Sequence, residues 1–387
     1  MGSYHLAENI IDTDDIAKLI EWLETHPRLT KGERTIEFEQ QWAQWVGTDY
    51  AVFCNSGSSA NLLMAYAALE SGKLRNRKVI VPSVGWVTTI APFIQFGFEP
   101  IMCRADKDSF GLDLEDLERL CKAHDPASVI FVQVLGVPGN MDRLLELKKQ
   151  YNFLLMEDAC AALGAAYGGK PVGNFGDLSS FSFYFGHQLS TIEGGMVNTN
   201  QKDLSDVLLM LRSHGWAKDL DPETRATLMR QHGIDQWHEP FTFFVPGFNV
   251  RSTDLNAFLG LEQMKKADAV MEIRRANHQM YADCLSTVDF QRWDTRAVPC
   301  SISFGAIAKS PGHRRAIVEA LDRHSIETRL FSAGNLGLHP FWVKRYGIFH
   351  DLVSDRVHDR GFFLPNNESI TKEDVRFICS VVNSVAL

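Results

Sequence analysis

Apolar positions along this chain switch between two spacings, and the switching predicts an α/β fold. Residues 8–26 and 32–47 carry apolar side chains at helical spacing, with Trp22, Phe38, Trp42 and Trp45 as aromatic anchors. After them, short apolar runs and helical stretches take turns. The runs 78–82, 100–103, 129–134 and 153–157 read as strands, and 61–69, 88–96, 114–122 and 141–150 as the helices between them. Strands that are apolar throughout, without alternation, are buried on both faces, so a largely parallel sheet covered by helices is expected.

The second half is less regular. A run of aromatic residues from Phe181 predicts a strand, followed by a turn and a Gly194-Gly195 bend into a further strand at 196–199. Residues 202–212 are helical. Residues 219–248 break the rhythm, being polar and rich in His and aromatics, and are expected to form a long loop or hairpin. From about residue 255 a long helix (255–281) leads into a smaller α+β unit, which predicts domains at 1–254 and 255–387. No repeat at solenoid or propeller periods is present.

Bulk composition narrows the function classes. A chain of 387 residues suits a large domain with a smaller companion. Its net charge of −9 argues against nucleic acid as a partner, because phosphate backbones are held by clustered Lys and Arg. No stretch reaches the roughly 18 apolar residues that span a bilayer, and residues 1–15 are too acidic and polar for a signal peptide. The 7 cysteines are scattered, with no CxxC pair, which predicts reduced thiols in a cytoplasmic protein and no metal site.

The chemistry is concentrated around residue 187. Phe181-Ser182-Phe183 is followed by His187 and then by Glu193-Gly194-Gly195. This layout resembles the cofactor loop of the DegT/DnrJ/EryC1 sugar aminotransferases, which use pyridoxal 5'-phosphate (PLP) bonded to a lysine. Here the lysine position holds His187. Imidazole makes no stable covalent bond to the cofactor, but it moves protons well near neutral pH. The resemblance therefore narrows to a branch that carries this exchange, the PLP- or PMP-dependent 3-dehydratases of nucleotide-linked 4-keto-6-deoxysugars (PMP being pyridoxamine 5'-phosphate). It extends over nearly the whole chain. It implies the fold of PLP-dependent fold type I, aspartate aminotransferase-like: a large, mixed, mostly parallel sheet with a smaller C-terminal α+β domain. It also implies a homodimer with a shared active site. Some 3-dehydratases carry an iron–sulfur cluster on four cysteines; no such ligand group exists here, so none is expected.

Site residues follow by position. Asn55-Ser56-Gly57-Ser58 precedes a helix, where free amides and the helix dipole favour an anion; an ordinary N-cap is the competing reading. By the resemblance, Gly57 and Ser58 cradle the cofactor phosphate, and Ser182 is a second phosphate-binding serine. Asp158 closes a strand at its carboxyl end and matches the aspartate that pairs with the pyridine nitrogen; the alternative is a helix-capping Asp. Trp86 occupies the slot of a ring that stacks on the cofactor, unless it is a core tryptophan. Asn249, in Gly247-Phe248-Asn249-Val250-Arg251, matches an asparagine that reaches the partner subunit's phosphate. Ala161 departs from the pattern, since relatives carry Gln or Glu there.

The resemblance assigns His187 as the catalytic group. It would take a proton from C4' of the cofactor and return one to the departing C3 hydroxyl, with L-glutamate as amino donor. His214 (in Arg212-Ser213-His214-Gly215), Arg251 and Arg329 are candidate substrate contacts. For His214 a structural role competes, and for Arg329 a surface salt bridge. Trp237 and His238 are candidates to close over the sugar, and guanosine diphosphate is the favoured nucleotide. A nucleotide-sugar aminotransferase and an inactive PLP-fold scaffold stay open as alternatives.

Overall fold

The computed structural model describes residues 3–386, so the first two residues of the acidic start lie outside it. Seven short strands form the central sheet in the spatial order Tyr50–Cys54, Gly195–Thr199, Leu178–Ser182, Leu154–Asp158, Ser128–Val132, Lys78–Pro82, Glu99–Cys103. Six run parallel, and Gly195–Thr199 runs antiparallel to both its neighbours. The four inner strands from Gly195–Thr199 to Ser128–Val132 are buried at every position, which is why they show no polar alternation. The helix Gly57–Glu70 also lies in the core, burying Ala60, Leu63, Met64, Ala67 and Ala68 against the sheet.

A second core belongs to the C-terminal unit. Strands Asp289–Phe290, Phe304–Ile307 and Gly361–Leu364 form a small antiparallel sheet. Tyr281, Ile317, Phe362 and Ile378 fill the space between it and its helices.

Several expectations need correction. Tyr50–Cys54 is a strand that had no counterpart in the sequence reading, and the strand placed from Phe181 is Leu178–Ser182. Residues beyond Ser182 leave the sheet as a loop. The loop or hairpin expected over 219–248 contains the helix Pro222–His232 and a short 3-10 turn at Glu239–Phe241. That helix is bounded by local signals: Asp221 caps it, Pro222 starts it and Gly233 ends it at φ +65°. It buries no residue, so no apolar stripe marked it.

The single helix expected over 255–281 is two, Asp254–Met264 and Ala267–Cys284. The break is pinned from outside, because Lys266 donates to Asp15 at 2.8 Å while Gln263 donates to the same buried carboxylate at 2.7 Å. Among the described residues, no helix is long and apolar enough to cross a membrane, and no cluster of His, Cys, Asp or Glu is arranged to hold a metal.

Candidate active site

The carboxyl ends of the parallel strands bring the first group of residues together. Ser56 caps the helix Gly57–Glu70, its hydroxyl accepting the Ser59 amide at 3.0 Å, so the N-cap reading holds as well. The amides of Gly57 and Ser58 and the hydroxyls of Ser58 and Ser182 make no hydrogen bond among the described residues. A side chain at Gly57 would place its Cβ 2.4 Å from that of Ser182, so glycine is needed to bring the serine against the helix start. Gly195 serves the same joint from the other side: a Cβ there would lie 2.2 Å from the Ser56 carbonyl oxygen. The result gathers the free N–H groups of Gly57 and Ser58 and the hydroxyls of Ser58 and Ser182 at the helix start, a donor set suited to a phosphate.

Asp158 ends its strand buried and held from three sides. Asn61 Nδ2 and Thr89 Oγ1 donate to Oδ2 at 2.9 and 2.6 Å, and the Cys160 amide donates to Oδ1 at 3.1 Å. Ser180 in turn donates to Asn61 Oδ1 at 2.6 Å, which fixes the amide's orientation. The carboxylate therefore caps no helix, and Oδ1 keeps a lone pair for one further N–H donor. Asn61, Thr89 and Ser180 were not anticipated as site residues. No local pattern in the sequence marks them, since their burial and their hydrogen-bond partners arise only on folding.

Trp86 immediately precedes the helix Val87–Gln95 that carries Thr89. It is 54% exposed, so it is not a core tryptophan. The loop 332–336 flanks it, with Ser332 Oγ donating to the Gly85 carbonyl at 2.7 Å and Asn335 bridged to Val84.

His187 lies on a tightly tied loop. Its amide donates to Tyr184 O at 2.9 Å, and buried Gln188 reaches back to Ala161 O at 3.0 Å and Cys300 O at 3.3 Å. The ring surface is partly exposed, but Nδ1 itself is buried and has no partner. Burial pushes the ring's pKa down to about 4; the Cys160 backbone opposes this, and the guanidiniums of Arg274 and Arg329 add to it. At neutral pH the ring is uncharged and able to accept a proton.

Because this pKa lies below the roughly 6.5 of free imidazole, folding favours the neutral ring. The associated stability is complete above about pH 6.5 and is lost as pH falls toward 4. His278, whose Nδ1 meets Ser301 Oγ at 2.7 Å, is pushed by burial to about 3 and acts with the same sign. In NMR titration of the cofactor-free protein, His187 is expected to titrate near pH 4. A midpoint near 6.5 would contradict this environment.

Asn249, His214 and Arg251 form a second group. Arg251 Nε donates to Asn249 Oδ1 at 3.0 Å, and an Arg251 amino nitrogen lies 3.4 Å from His214 Nε2. Isolated bridges tie Asn249 to Ser213 and Arg251 to Cys54, three residues before Gly57. No hydrogen bond joins this group to His187 or Asp158 among the described residues. Arg329, exposed, forms no ion pair among the described residues, which removes the surface salt-bridge reading; its guanidinium sits 5.2 Å from the Phe363 ring centre. Trp237 is 86% exposed and His238 is paired with Asp235 at 2.9 Å, so neither covers the pocket in this chain alone.

Residues 9–383 match the DegT/DnrJ/EryC1/StrS aminotransferase family, and the chain belongs to it. Its architecture is accordingly the PLP-dependent aminotransferase-like fold. Within that family it is similar to GDP-4-keto-6-deoxy-D-mannose 3-dehydratases. It is 32% identical to the one from Escherichia coli O55:H7, over 99% of this chain and 100% of that one. To that of Yersinia pseudotuberculosis it is 29% identical, over 99% and 98% of the two chains. The solved structure of the E. coli enzyme with bound hydrated PLP matches with a TM-score of 0.88 at 27% identity, covering 99% of this chain and 100% of that one.

Proposed function

We propose that this chain is a PLP/PMP-dependent 3-dehydratase of a nucleotide-linked 4-keto-6-deoxyhexose, with GDP-4-keto-6-deoxymannose as substrate and L-glutamate as amino donor. The observation that carries the reading is His187: a neutral imidazole with an unpartnered buried nitrogen, on a loop that contains no lysine. The relatives' names supply the substrate.

The pocket fits the cofactor. The lack of a side chain at Gly57 lets Ser182 lie against the helix start, Asp158 keeps a free acceptor position, and His187 Nδ1 lacks a partner. Gly57, Ser58 and Ser182 would hold the phosphate, Asp158 the ring nitrogen and Trp86 the ring face, with Asn249 reaching across the interface of a homodimer. When bound, the cofactor supplies an amine that reacts with the sugar ketone and a ring that accepts electrons.

The protein's own residues then account for the rest. Asn61, Thr89 and the Cys160 amide donate to the Asp158 carboxylate and fix it in place, with one acceptor position left to face the ring nitrogen. His187, uncharged at neutral pH, accepts a proton from C4'. Once charged, it is a strong acid for its surroundings and passes a proton to the C3 hydroxyl as that group leaves. With no lysine at position 187, the cofactor is held by contacts alone. Overall, glutamate is oxidised to 2-oxoglutarate and ammonia, and the two electrons it gives up replace the C3 hydroxyl of the sugar with hydrogen.

The test is product identity. Protein supplied with PLP, L-glutamate and GDP-4-keto-6-deoxymannose should release a 4-keto-3,6-dideoxy sugar, with ammonia and 2-oxoglutarate in equal amounts. A 4-amino sugar that retains its C3 oxygen would establish an aminotransferase. PMP formation with no change in the sugar would establish an inactive scaffold or a different substrate.

A further inference from the structure

Where the turn after the strand Glu99–Cys103 meets the C-terminal unit, there is a cavity of about 470 Å³. Lys107 and Asp108 line it from the turn, Phe290 and Arg292 from the end of the strand Asp289–Phe290, and Leu352 and Arg356 from the helix Leu352–Arg360. Its size falls within the roughly 300–1,000 Å³ of small-molecule sites. Hydrogen bonds that cross between the two units hold its walls. The Arg292 amide donates to the Asp108 carbonyl at 2.9 Å, Gln291 Nε2 to the Ser109 carbonyl at 2.6 Å, and the Ala105 amide to Asp351 Oδ2 at 3.0 Å. A ligand would find the site already ordered.

The charges around this space do not balance. Asp289, also in the lining, is taken by Lys309 at 2.7 Å. Asp106 and Asp351, next to the lining, accept from amides of their own turn and helix. Lys107, Arg292 and Arg356 make no ion pair among the described residues, and the lining sets one unpaired carboxylate, Asp108, against them. That leaves a surplus of two positive charges in a chain of net charge −9. Arg356 makes no hydrogen bond among the described residues either: its Nε is buried without a partner, and its guanidinium carbon lies 6.0 Å from the Phe110 ring centre. A buried N–H with no acceptor is a donor that a ligand can satisfy. Leu352, 92% exposed, and the Phe290 ring add an apolar flank.

We propose that this cavity is a second ligand site, distinct from the active site, which takes a phosphate monoester of a small organic molecule. Such an ester carries close to two negative charges at neutral pH, which matches the surplus. Guanidinium forks bind phosphate oxygens in pairs, and Arg292 and Arg356 bring two forks to one space. Phe290 and Leu352 offer apolar surface to the organic part. None of the lining residues is among those assigned to the cofactor or the sugar nucleotide, so the site stands independently of the dehydratase reading. A ligand bound there touches both units and holds them together.

The probe is phenyl phosphate, titrated by calorimetry into the full chain loaded with PMP and freed of excess cofactor. The cofactor cradle is then filled, and no other phosphate ester competes. One equivalent per chain should bind, more weakly as salt rises. Inorganic phosphate should bind about tenfold more weakly, because it leaves Phe290 and Leu352 uncovered. Lys107→Gln/Arg292→Gln should lose about tenfold or more for each cation removed. Its melting temperature without ligand and its PMP content should be those of the wild type, since both side chains are exposed and neither makes an ion pair. Leu352→Asp, which sets a repelling charge at a solvent-exposed position, should also weaken binding about tenfold and leave the fold intact. Phenyl phosphate should raise the melting temperature of the wild type and leave that of the double variant unchanged. Absence of saturable binding, or wild-type affinity in both variants, would overturn the proposal. Equal affinity for inorganic phosphate would overturn the assignment to an ester, and a preference for succinate would overturn the assignment to phosphate.

Discussion

His187→Asn is expected to cut sugar deoxygenation by about 10²-fold or more while changing PMP affinity little. Asparagine retains polarity and similar bulk on the loop held by Gln188, so the pocket should keep its shape. The groups proposed to hold the cofactor belong to other elements: the Gly57 helix start, the strand ending at Asp158, the strand ending at Ser182 and the turn at Trp86. What the amide cannot do is accept a proton. The loss should therefore fall on turnover, and substrate should bind and stall. Stopped turnover accompanied by an equally large loss of PMP affinity would instead make His187 a holding residue. That outcome would remove the chemical reason for its place in the lysine position.

Gly195→Ala is expected to weaken PMP binding at least tenfold and to destabilise the fold by about 1–3 kcal/mol, the usual cost of overpacking a close contact. The added Cβ would lie 2.2 Å from the Ser56 carbonyl oxygen and 2.7 Å from the Gly57 nitrogen. Both are backbone atoms at the helix start, so no side chain can swing aside. Relief requires moving the helix N-terminus away from Ser182, which opens the phosphate cradle. Gly312→Ala is the matched control. A Cβ there meets nothing closer than Ser310 Oγ at 3.8 Å, so the change should be neutral or slightly stabilising. Calorimetric melting and PMP titration of the two variants separate the cases. Equal behaviour would show that the Gly195 contact is not what shapes the cradle.

Much of this was legible in the chain, for identifiable reasons. The strands Lys78–Pro82, Ser128–Val132 and the start of Leu154–Asp158 are runs of apolar residues, and the helices Leu114–His124 and Met141–Tyr151 carry apolar stripes, so burial wrote this part of the sheet into the residue pattern. The layout of Phe181, Ser182, His187 and Gly195 was legible through its resemblance to the family's cofactor loop, and that loop is tied by Gln188 and by the close backbone approach at Gly195. Three things were not. The helix Pro222–His232 packs nothing away and so lacks periodicity, although Asp221, Pro222 and Gly233 mark its ends. The break after Met264 is caused by Asp15, some 250 positions earlier, and no local pattern reports such a partner. The supports of Asp158 come from three separate elements, at Asn61, Thr89 and Ser180, and only folding brings them to one carboxylate. Long-range polar contacts of this kind leave no periodic trace.

Hydrogen exchange at C4' of bound PMP tests the central claim most directly, because it isolates the proton transfer assigned to His187 from every later step. Wild-type protein loaded with PMP and the ketosugar in deuterated water should place deuterium at C4', as read by mass spectrometry of the recovered cofactor. His187→Asn, loaded to the same occupancy, should exchange at least about 10²-fold more slowly. Exchange in that variant at the wild-type rate would show that another group moves the proton, and the role given to His187 would be wrong.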